Sequence, residues 1–206
     1  MLSEKRNFID MFQIRLLEVL CNQASITIAN AKLYAKIEKL ATTDGLTGLY
    51  NHRRFQEMLS EEFKRLNRYP SPVSLILVDI DYFKKVNDAC GHPVGDLVLK
   101  GVSEIIREEI RDIDVPARYG GEEFAVILPG ADTESSKIIA ERLRKAVMDK
   151  TFPLDGKSLK VTISLGIATA PVDAKYKEEL IEKTDQALYH AKHSGRNQSV
   201  SWGDMQ

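Results

Sequence analysis

The segment Arg118–Phe124 concentrates residue types that bind cations or phosphates, and a short apolar run follows it. Gly120 and Gly121 stand between an aromatic residue and two carboxylates. Because glycine tolerates positive φ and lets other groups approach the backbone, this pair predicts a tight hairpin between two strands. Glu122 and Glu123 are costly to bury there unless they bind a cation or a positive partner. Taken alone, an ordinary acidic hairpin with both carboxylates in water explains the segment equally well.

A second candidate site begins where a buried strand is predicted to end. Ser74–Val78 is a largely apolar run, which is typical of a strand covered on both faces. Asp79 follows it directly. A carboxylate at this exit, with a carboxylate pair on a hairpin elsewhere, can hold magnesium, which prefers few protein carboxylates, several waters and phosphate oxygens. The alternative role for Asp79 is that of a strand-end cap.

The motifs DIDYFKKVND, GHPVGD and RYGGEEF, in this order, resemble the GGDEF domain of diguanylate cyclases. The resemblance runs from about Thr43 to Asn197, and DGLTGLYN near its start is similar to the beginning of such domains. His52 stands where the family commonly has arginine. The resemblance implies condensation of two GTP molecules into cyclic di-GMP, with release of two pyrophosphates. It also implies the palm-like fold shared with nucleotidyl cyclases and some polymerases.

By this resemblance, Asp79 and Glu122 are the metal-binding carboxylates, and the backbone carbonyl of Ile80 adds a ligand to Mg²⁺ (or Mn²⁺). Glu123 is similar to a residue that helps with a second metal or deprotonates the attacking hydroxyl, and both roles stay open. The three carboxylates are therefore the candidate catalytic residues. Divalent cations held in this way neutralise charge during phosphoryl transfer.

The resemblance also implies a set of GTP-binding residues. Asn87 and Asp96 match its guanine-reading positions, since an amide and a carboxylate can pair with the edge of guanine. Asp96 could instead cap the helix that follows it. Lys192 and Arg196 match the cations that clamp the triphosphate, although cations at this place also complement a helix C-terminus. The other members of the set are Phe83, Lys84, Gly120 and Gly121.

Arg111-Asp112-Ile113-Asp114 resembles the RxxD site through which cyclic di-GMP inhibits its own synthesis. Arg111 can bind phosphate or guanine bidentately, and Asp114 can accept hydrogen bonds from a guanine edge. The position of this segment, shortly before the hairpin, favours the inhibitory role. The alternative is a surface ion pair between the two side chains, which would contribute little stability.

The elements that must position these residues begin with a long helix, because Met1–Leu40 contains neither glycine nor proline. Within it, apolar residues recur three and four positions apart, the heptad pattern of a coiled coil. Gln23 and Asn30 occupy a positions, where polar residues fix register and strand number. The alternative is an amphipathic helix packed on its own domain, since further apolar residues widen the stripe. The seam comprises Ile9, Phe12, Leu16, Val19, Gln23, Ile26, Asn30, Leu33, Ile37 and Leu40.

Beyond a glycine-containing linker, the pattern predicts helices alternating with strands. This order predicts an α/β (α+β) sandwich in which helices flank a central, mainly antiparallel sheet. We expect a coiled-coil signalling helix at residues 1–41 and a GGDEF catalytic domain at residues 42–206. The predicted strands are residues 73–80, 124–128, 160–168 and an edge strand at 198–202; the predicted helices are residues 52–68, 82–88, 97–111, 133–150 and 176–193.

Composition is that of an ordinary globular protein, with 43% hydrophobic residues and a net charge of −1. This charge gives no indication of nucleic acid or of an anionic membrane as a partner. Cys21 and Cys90 are too few for a disulfide framework, and no apolar run reaches membrane-spanning length, so we expect a cytoplasmic protein. A helix that starts abruptly at Met1 suggests a fragment of a longer chain that carries the sensor.

We therefore expect a magnesium-dependent diguanylate cyclase that binds GTP and cyclic di-GMP and dimerises through its N-terminal helix. One alternative is an inactive GGDEF domain that only senses nucleotides, but the intact acidic and basic site residues argue against it. A mononucleotide cyclase on the same fold is a second alternative, which identification of the product would separate. The third is a structural dimerisation protein, which nothing in residues 73–196 requires.

Overall fold

The computed structural model describes residues 11–69, 71–154 and 157–205, and within them the side chains of residues 34–41, 154 and 157 are left out of the description. The structure divides into two compact units between Ala41 and Thr42. Helix α1 spans Met11–Thr42, which confirms the predicted N-terminal helix over this range. Residues 1–10, including Ile9 of the predicted seam, lie outside the described residues.

The described side chains of α1 up to Leu33 are all exposed, including its large apolar ones. In the predicted seam, Phe12 is 72% exposed and Leu16 is 49% exposed. The side chains of Ile37 and Leu40 lie outside the described part. Apolar surface of this extent is typical of a helix that associates with another chain.

Helices are interspersed with strands through the second unit, as the sequence predicts. The helices are α2 (His52–Leu66), α3 (Phe83–Cys90), α4 (His92–Glu109), α5 (Thr133–Asp149) and α6 (Lys177–His193), and a 3₁₀ turn spans Trp202–Met205. The strands are β1 (Val73–Ile80), β2 (Val115–Arg118), β3 (Glu123–Pro129), β4 (Phe152–Leu154), β5 (Lys157–Leu159), β6 (Ile163–Ala170) and β7 (Ser199–Ser201). Asp132 caps α5, because its side chain accepts the Ser135 N–H at 2.9 Å.

The strands form a five-stranded sheet in the order β2-β3-β1-β6-β7, and β4 and β5 form a separate hairpin. Pairing within the sheet is antiparallel except between β6 and β7, which run parallel. This architecture confirms the predicted sandwich. Strand β1 lies at its centre, so both of its neighbours contribute residues opposite Asp79: Glu123 of β3 and Ser164 of β6.

Strand β1 separates two hydrophobic layers because its side chains alternate between the two faces of the sheet. Leu75 and Leu77 pack with residues of α2 and α6, whereas Ile76 and Val78 pack with residues of α3, α4 and α5. Asp79 continues the series that faces α2 and α6. Helix α6 approaches the sheet very closely at Gly166 of β6, where a Cβ atom would lie 2.3 Å from the backbone of α6.

Several boundaries differ from the predicted ones, and the largest difference concerns α4, which begins at His92 rather than at residue 97. Gly91, with φ +81°, ends α3 and leads straight into α4, and Pro93 occupies the first turn, where its missing N–H costs nothing. Asp96 therefore lies inside α4, and the alternative that it caps this helix is wrong. Strand β6 begins at Ile163, three residues later than predicted. The predicted hairpin implies a strand before Gly120, which is β2, but the sequence patterns gave no bounds for it and did not indicate β4 or β5.

The linker after α1 runs along the outer edge of β2. Tyr50 forms a parallel bridge with Ala117, its N–H donates to the Pro116 carbonyl at 3.2 Å, and its carbonyl accepts the Arg118 N–H at 2.8 Å. In the part of the chain that the structure describes, no helix is both long and apolar enough to cross a membrane.

Candidate active site

Carboxylates from two separate motifs meet at one end of the sheet. Asp79, near the end of β1, lies directly opposite Glu123 in the register of β3. Cross-strand neighbours have Cβ atoms roughly 4.5–5.5 Å apart, and like charges so placed repel each other. The carbonyl of Glu122, in the hairpin, accepts the Ile80 N–H at 3.3 Å. The structure thus brings together the predicted metal-binding residues.

Negative charge in this cluster is poorly solvated. Burial raises the pKa of Asp79, and the charge of Asp81 adds to the increase, while Lys192 opposes it. Burial, followed by the charge of Asp79, also raises the pKa of both Glu122 and Glu123. Three carboxylates that each disfavour ionisation form a site that gains from a cation.

Lys192 supplies a cation from α6. Its Nζ atom lies 2.8 Å from Asp79 Oδ2, and the side chains of the pair are 31% and 6% exposed, respectively. The close approach at Gly166 sets how far α6 lies from the sheet, so a lysine on this helix can reach the carboxylate. The ion pair with Lys192 offsets the negative charge of Asp79, one of the three carboxylates.

The composition of the cluster suits a hard divalent cation. Among the described residues, no group of three or more His, Cys, Asp or Glu side chains forms a ready-made chelating site. Magnesium does not need one, because it keeps several waters and takes oxygen ligands from one or two carboxylates and from substrate phosphates. Asp79 and Glu122 are therefore chemically suited to such an ion.

The hairpin predicted at Gly120–Gly121 is present, because the N–H groups of Tyr119 and Gly120 both donate to the Glu123 carbonyl, at 2.8 and 3.1 Å. Gly120 and Gly121 do not adopt positive φ, so the expectation that this hairpin needs glycine for its backbone conformation is wrong. At Gly120 the reason is space: a Cβ atom would lie 2.8 Å from Glu123 Oε2. At Gly121 the space is open.

Arg118 holds this hairpin from outside, a role that the sequence reasoning missed. Its Nη2 donates to the Gly121 carbonyl at 2.7 Å, and its Nε donates to the Gly120 carbonyl at 3.1 Å. The same guanidinium pairs with Asp44 of the linker. An arginine two residues before a glycine pair, where turn carbonyls need donors, was the available signal.

The two predicted guanine readers lie at the crossing of α3 and α4. Gly95 approaches Asn87 so closely that a Cβ atom would lie 2.0 Å from Asn87 Oδ1. That oxygen is buried and has no hydrogen-bond partner among the described residues. Asp96, the next residue of α4, is exposed. Of the other predicted substrate residues in α3, Phe83 is buried in the core and Lys84 is exposed.

Arg196 contacts Tyr82, an aromatic residue that the sequence reasoning did not single out. The Cζ atom of Arg196 lies 4.3 Å from the centre of the Tyr82 ring, and its Nη1 donates to Tyr82 Oη at 3.2 Å. Lys85 Nζ lies 4.2 Å from the centre of the same ring. Cation–π contacts of this kind gather positive charge on one exposed aromatic side chain beside Asp79 and Asp81.

The RxxD segment forms a compact turn. Asp114 is buried, and its Oδ2 accepts the backbone N–H of Arg111 at 2.8 Å. No ion pair joins the two side chains in the described structure, so the alternative of a surface ion pair is wrong. Burial raises the pKa of Asp114, while the hydrogen bond from Arg111 and the charges of Arg111 and Arg142 oppose this change. The exposed Arg111 side chain and Arg142, which sequence reasoning missed, place two guanidinium groups near this turn.

A central strand that ends in a carboxylate beside an acidic hairpin, within a mainly antiparallel sheet flanked by helices, defines a protein with a cyclase-type fold. The family model described as "Diguanylate cyclase, GGDEF domain" matches residues 41–198. The chain belongs to this GGDEF family, as its motifs predict.

Relatives with assigned names support this membership. Diguanylate cyclase A of Treponema denticola is 36% identical over 189 residues, which cover 90% of this chain and 50% of that protein. Response regulator PleD of Caulobacter vibrioides is 42% identical over 164 residues, which cover 79% of this chain and 36% of that protein. The chain therefore spans half or less of the length of these curated relatives.

Solved structures share the fold. The coiled coil and GGDEF domain of DgcB from Caulobacter crescentus, in complex with c-di-GMP, matches with a TM-score of 0.83 at 28% identity, over 90% of this chain and 98% of that chain. Diguanylate cyclase SiaD from Pseudomonas aeruginosa, in complex with its activator SiaC, matches with a TM-score of 0.77 at 32% identity, over 92% of this chain and 73% of that chain.

Proposed function

We propose that this chain is a diguanylate cyclase that condenses two GTP molecules into cyclic di-GMP and two pyrophosphates. The observation that carries the proposal is the meeting of Asp79 with Glu123 across β1 and β3, with Lys192 bound to the same aspartate. Family membership and relatives named as diguanylate cyclases support the reaction.

In this proposal, Asp79, Glu122 and the Ile80 carbonyl hold Mg²⁺ or Mn²⁺, and Glu123 helps with a second ion or accepts a proton. When bound, such ions neutralise phosphate oxygens and stabilise the charge that develops during phosphoryl transfer. The raised pKa values of the three carboxylates support this role, because each carboxylate gains from a nearby positive charge.

The cations of the chain bind the triphosphate of GTP. Lys192 exchanges its contact with Asp79 for phosphate oxygens, and Arg196 binds them beside Tyr82. Both side chains start close to the carboxylates, which supports this assignment. In each of two steps, a 3′-oxygen forms a bond to an α-phosphorus, the bond to pyrophosphate breaks, and the hydroxyl proton passes to a base.

The base of GTP is read at the crossing of α3 and α4. We assign Asn87 and Asp96 to this role, because an amide and a carboxylate can pair with the guanine edge and Asn87 Oδ1 has no hydrogen-bond partner among the described residues. A site with an unpaired polar group discriminates strongly against a ligand that lacks the complementary donor. Phe83 and Lys84 of α3, with Gly120 and Gly121 of the hairpin, complete the proposed substrate set.

One domain of this kind supplies half of the reaction, because each product molecule requires two GTP molecules. We propose that residues 1–41 form a parallel two-stranded coiled coil and that residues 42–206 form the catalytic domain. The exposed seam of α1 and the division of the structure between Ala41 and Thr42 support this organisation. We also propose a cytoplasmic location, which provides GTP.

The RxxD turn is proposed as the site of product inhibition. Arg111 and Asp114, joined by Arg142, offer guanidinium groups for phosphates or guanine and a buried carboxylate for a guanine edge. The solved DgcB structure contains c-di-GMP. The turn is already ordered by the hydrogen bond between Arg111 and Asp114, so the exposed Arg111 side chain can bind a ligand without rearranging the backbone.

The decisive experiment incubates the purified chain with GTP and MgCl₂ and identifies the product by chromatography and mass spectrometry. We expect cyclic di-GMP and pyrophosphate in a ratio of one to two. Asp79→Asn and Glu122→Gln should lower turnover at least about a hundredfold, because each removes a metal-binding charge but no packing group.

The matched controls are Asp204→Asn and Glu178→Gln, which neutralise exposed carboxylates far along the chain from the cluster. Both should retain turnover. A cyclic mononucleotide product would indicate the alternative cyclase chemistry. Binding of GTP without turnover, or full activity of Asp79→Asn, would contradict the proposed function.

A further inference from the structure

The segment that carries Arg196 has an unusual backbone. Gly195, Arg196 and Asn197 follow one another with φ values of +116°, +61° and +46°. Residues other than glycine are disfavoured in the left-handed region, and two in succession persist only when surrounding contacts hold them there. Contacts specific to this segment must therefore fix the position of Arg196.

Asp81 provides the first of these contacts. Its Oδ2 accepts the backbone N–H of Asn197 at 3.0 Å and the hydroxyl of Thr162 at 2.7 Å. Its Oδ1 accepts the hydroxyl of Ser164 at 2.7 Å. Asp81 is 4% exposed, so these donors replace water, and they anchor the left-handed segment to the end of β1 and the start of β6.

Arg144 of α5 provides the second contact. Its Nη1 donates to Asn197 Oδ1 at 2.7 Å, and its other nitrogens pair with both carboxylate oxygens of Glu141. The Arg144 side chain is 13% exposed, so its orientation is fixed by these partners. Asn197 is thus held through its backbone by Asp81 and through its side chain by Arg144.

The neighbours of this anchor touch each other. Tyr82 directly follows Asp81, Arg196 directly precedes Asn197, and the Arg196 guanidinium lies on the Tyr82 ring. Tyr82 itself has φ +57°, so both partners of this stacked pair sit on left-handed backbone next to the Asp81–Asn197 hydrogen bond. The Asp81–Asn197 hydrogen bond therefore fixes the backbone positions from which the Tyr82 and Arg196 side chains extend.

We propose that Asp81, Asn197 and Arg144 are positioning residues for the cyclase reaction, which place Arg196 on Tyr82 so that its guanidinium is ready for the triphosphate of GTP. This inference rests on the proposed function of Arg196. None of the three needs to touch the nucleotide. Their contribution is pre-organisation, since a guanidinium already held in place loses less freedom on binding.

The test is a double-mutant cycle on affinity for 3′-deoxy-GTP, which lacks the attacking hydroxyl and so binds without reacting. Affinity is measured by calorimetry in MgCl₂ for the wild type, Arg144→Ala, Arg196→Ala and the double variant. If Arg144 acts through Arg196, Arg144→Ala should weaken binding about tenfold in the wild type and less than about twofold in the Arg196→Ala background. Lys145→Ala, which removes an exposed partner of the same Glu141, is the control and should change nothing.

A merely structural role would weaken binding by the same factor in both backgrounds, and that outcome overturns the inference, as does unchanged binding in Arg144→Ala. If circular dichroism shows that Arg144→Ala does not fold, Asn197→Gly removes the same hydrogen bond from its other end and enters the cycle instead. Asn197→Ala should bind 3′-deoxy-GTP more weakly than Asn197→Gly, because only glycine accepts φ +46° without strain.

The proposed function is tested separately by turnover of the wild type with GTP. A wild type that makes cyclic di-GMP, combined with an additive cycle, would overturn the positioning network and leave the cyclase assignment intact. A wild type that neither binds 3′-deoxy-GTP nor turns over GTP would overturn both.

Discussion

Arg118 and Asp44 are joined across 74 residues of the chain: Arg118 Nη1 lies 3.2 Å from each carboxylate oxygen of Asp44. Burial opposes ionisation of this carboxyl, but hydrogen bonds from Thr47 and the charge of Arg118 outweigh it and lower the pKa of Asp44. Through its other nitrogens, Arg118 binds the carbonyls of Gly120 and Gly121. One side chain therefore connects the linker that follows α1 with the hairpin that carries Glu122.

Arg118→Ala should lower both stability and activity. The substitution removes the charged partner of Asp44, which keeps its hydrogen bonds from Thr47, and removes the donor to two turn carbonyls, so we expect a loss of about 1–3 kcal/mol in the free energy of unfolding. Turnover should fall at least about tenfold, because a small displacement of catalytic groups is costly. Urea unfolding and initial rates measure these effects. Arg53→Ala, which removes an exposed pair with Glu57, is the control, and equal losses in both variants would contradict a special role for Arg118.

Glu123→Gln should remove a pH-dependent loss of stability. Burial and then the charge of Asp79 raise the pKa of Glu123 above its ordinary value of 4.5. For an acid whose pKa is higher in the folded state, the stabilising contribution is fully present below the unfolded pKa and is lost as pH rises through the folded pKa. The variant should therefore unfold at higher urea than the wild type at pH 7, and the difference should shrink towards pH 4. If the urea midpoints of the two proteins differed by the same amount from pH 4 to pH 7, the prediction that ionised Glu123 destabilises the fold would be wrong.

Arg111→Ala should weaken inhibition by cyclic di-GMP while initial rates stay within about twofold of wild type, because this residue lies outside the carboxylate cluster. The inhibition constant should rise at least about tenfold, the usual effect of losing a charge-assisted hydrogen bond. Initial rates at increasing concentrations of added product provide the measurement. Lys150→Ala, another exposed cation, should leave inhibition unchanged. An inhibition constant equal to that of the wild type would mean that the turn does not bind product.

Asn30→Leu should stabilise the dimer or favour higher oligomers and shift basal activity, because a polar a-position residue fixes register at a cost in stability.

Removal of residues 1–40 should leave a folded, GTP-binding monomer whose specific activity depends steeply on protein concentration. Light scattering and activity across a dilution series measure both effects. A monomeric full chain at micromolar concentration, or undiminished activity of the shortened chain at nanomolar concentration, would contradict dimerisation through the helix.

The layered architecture could be predicted because apolar periodicity marks the long elements clearly. The run before Asp79, and the spaced apolar residues of α5 and α6, each match one period over many residues. The short strands β2, β4 and β5 have three or four residues each, too few to establish a period. The predicted start of α4 is too late because the apolar spacing that indicates the helix starts near Leu97, whereas the first turn is marked only by Pro93, which can begin a helix.

The site was predictable to the extent that each residue belongs to a contiguous motif. The motifs themselves do not indicate that Asp79 lies opposite Glu123, which depends on the register of two strands separated by dozens of residues. The contacts of Arg118 with Asp44 and of Asp81 with Asn197 are of the same kind, since they join segments far apart in the chain. Left-handed backbone at Arg196 likewise follows from tertiary contacts that override local preference.

The linker that lies along β2 also covers part of a sheet edge to which another chain could add. An edge strand presents unpaired backbone groups to which another chain can add, and β2 is an edge strand of the five-stranded sheet. Tyr50 occupies these groups at Pro116 and Arg118. A shortened chain that began after Tyr50 would keep the carboxylate cluster and the nucleotide-binding residues but expose this edge, and it would tend to precipitate through strand addition.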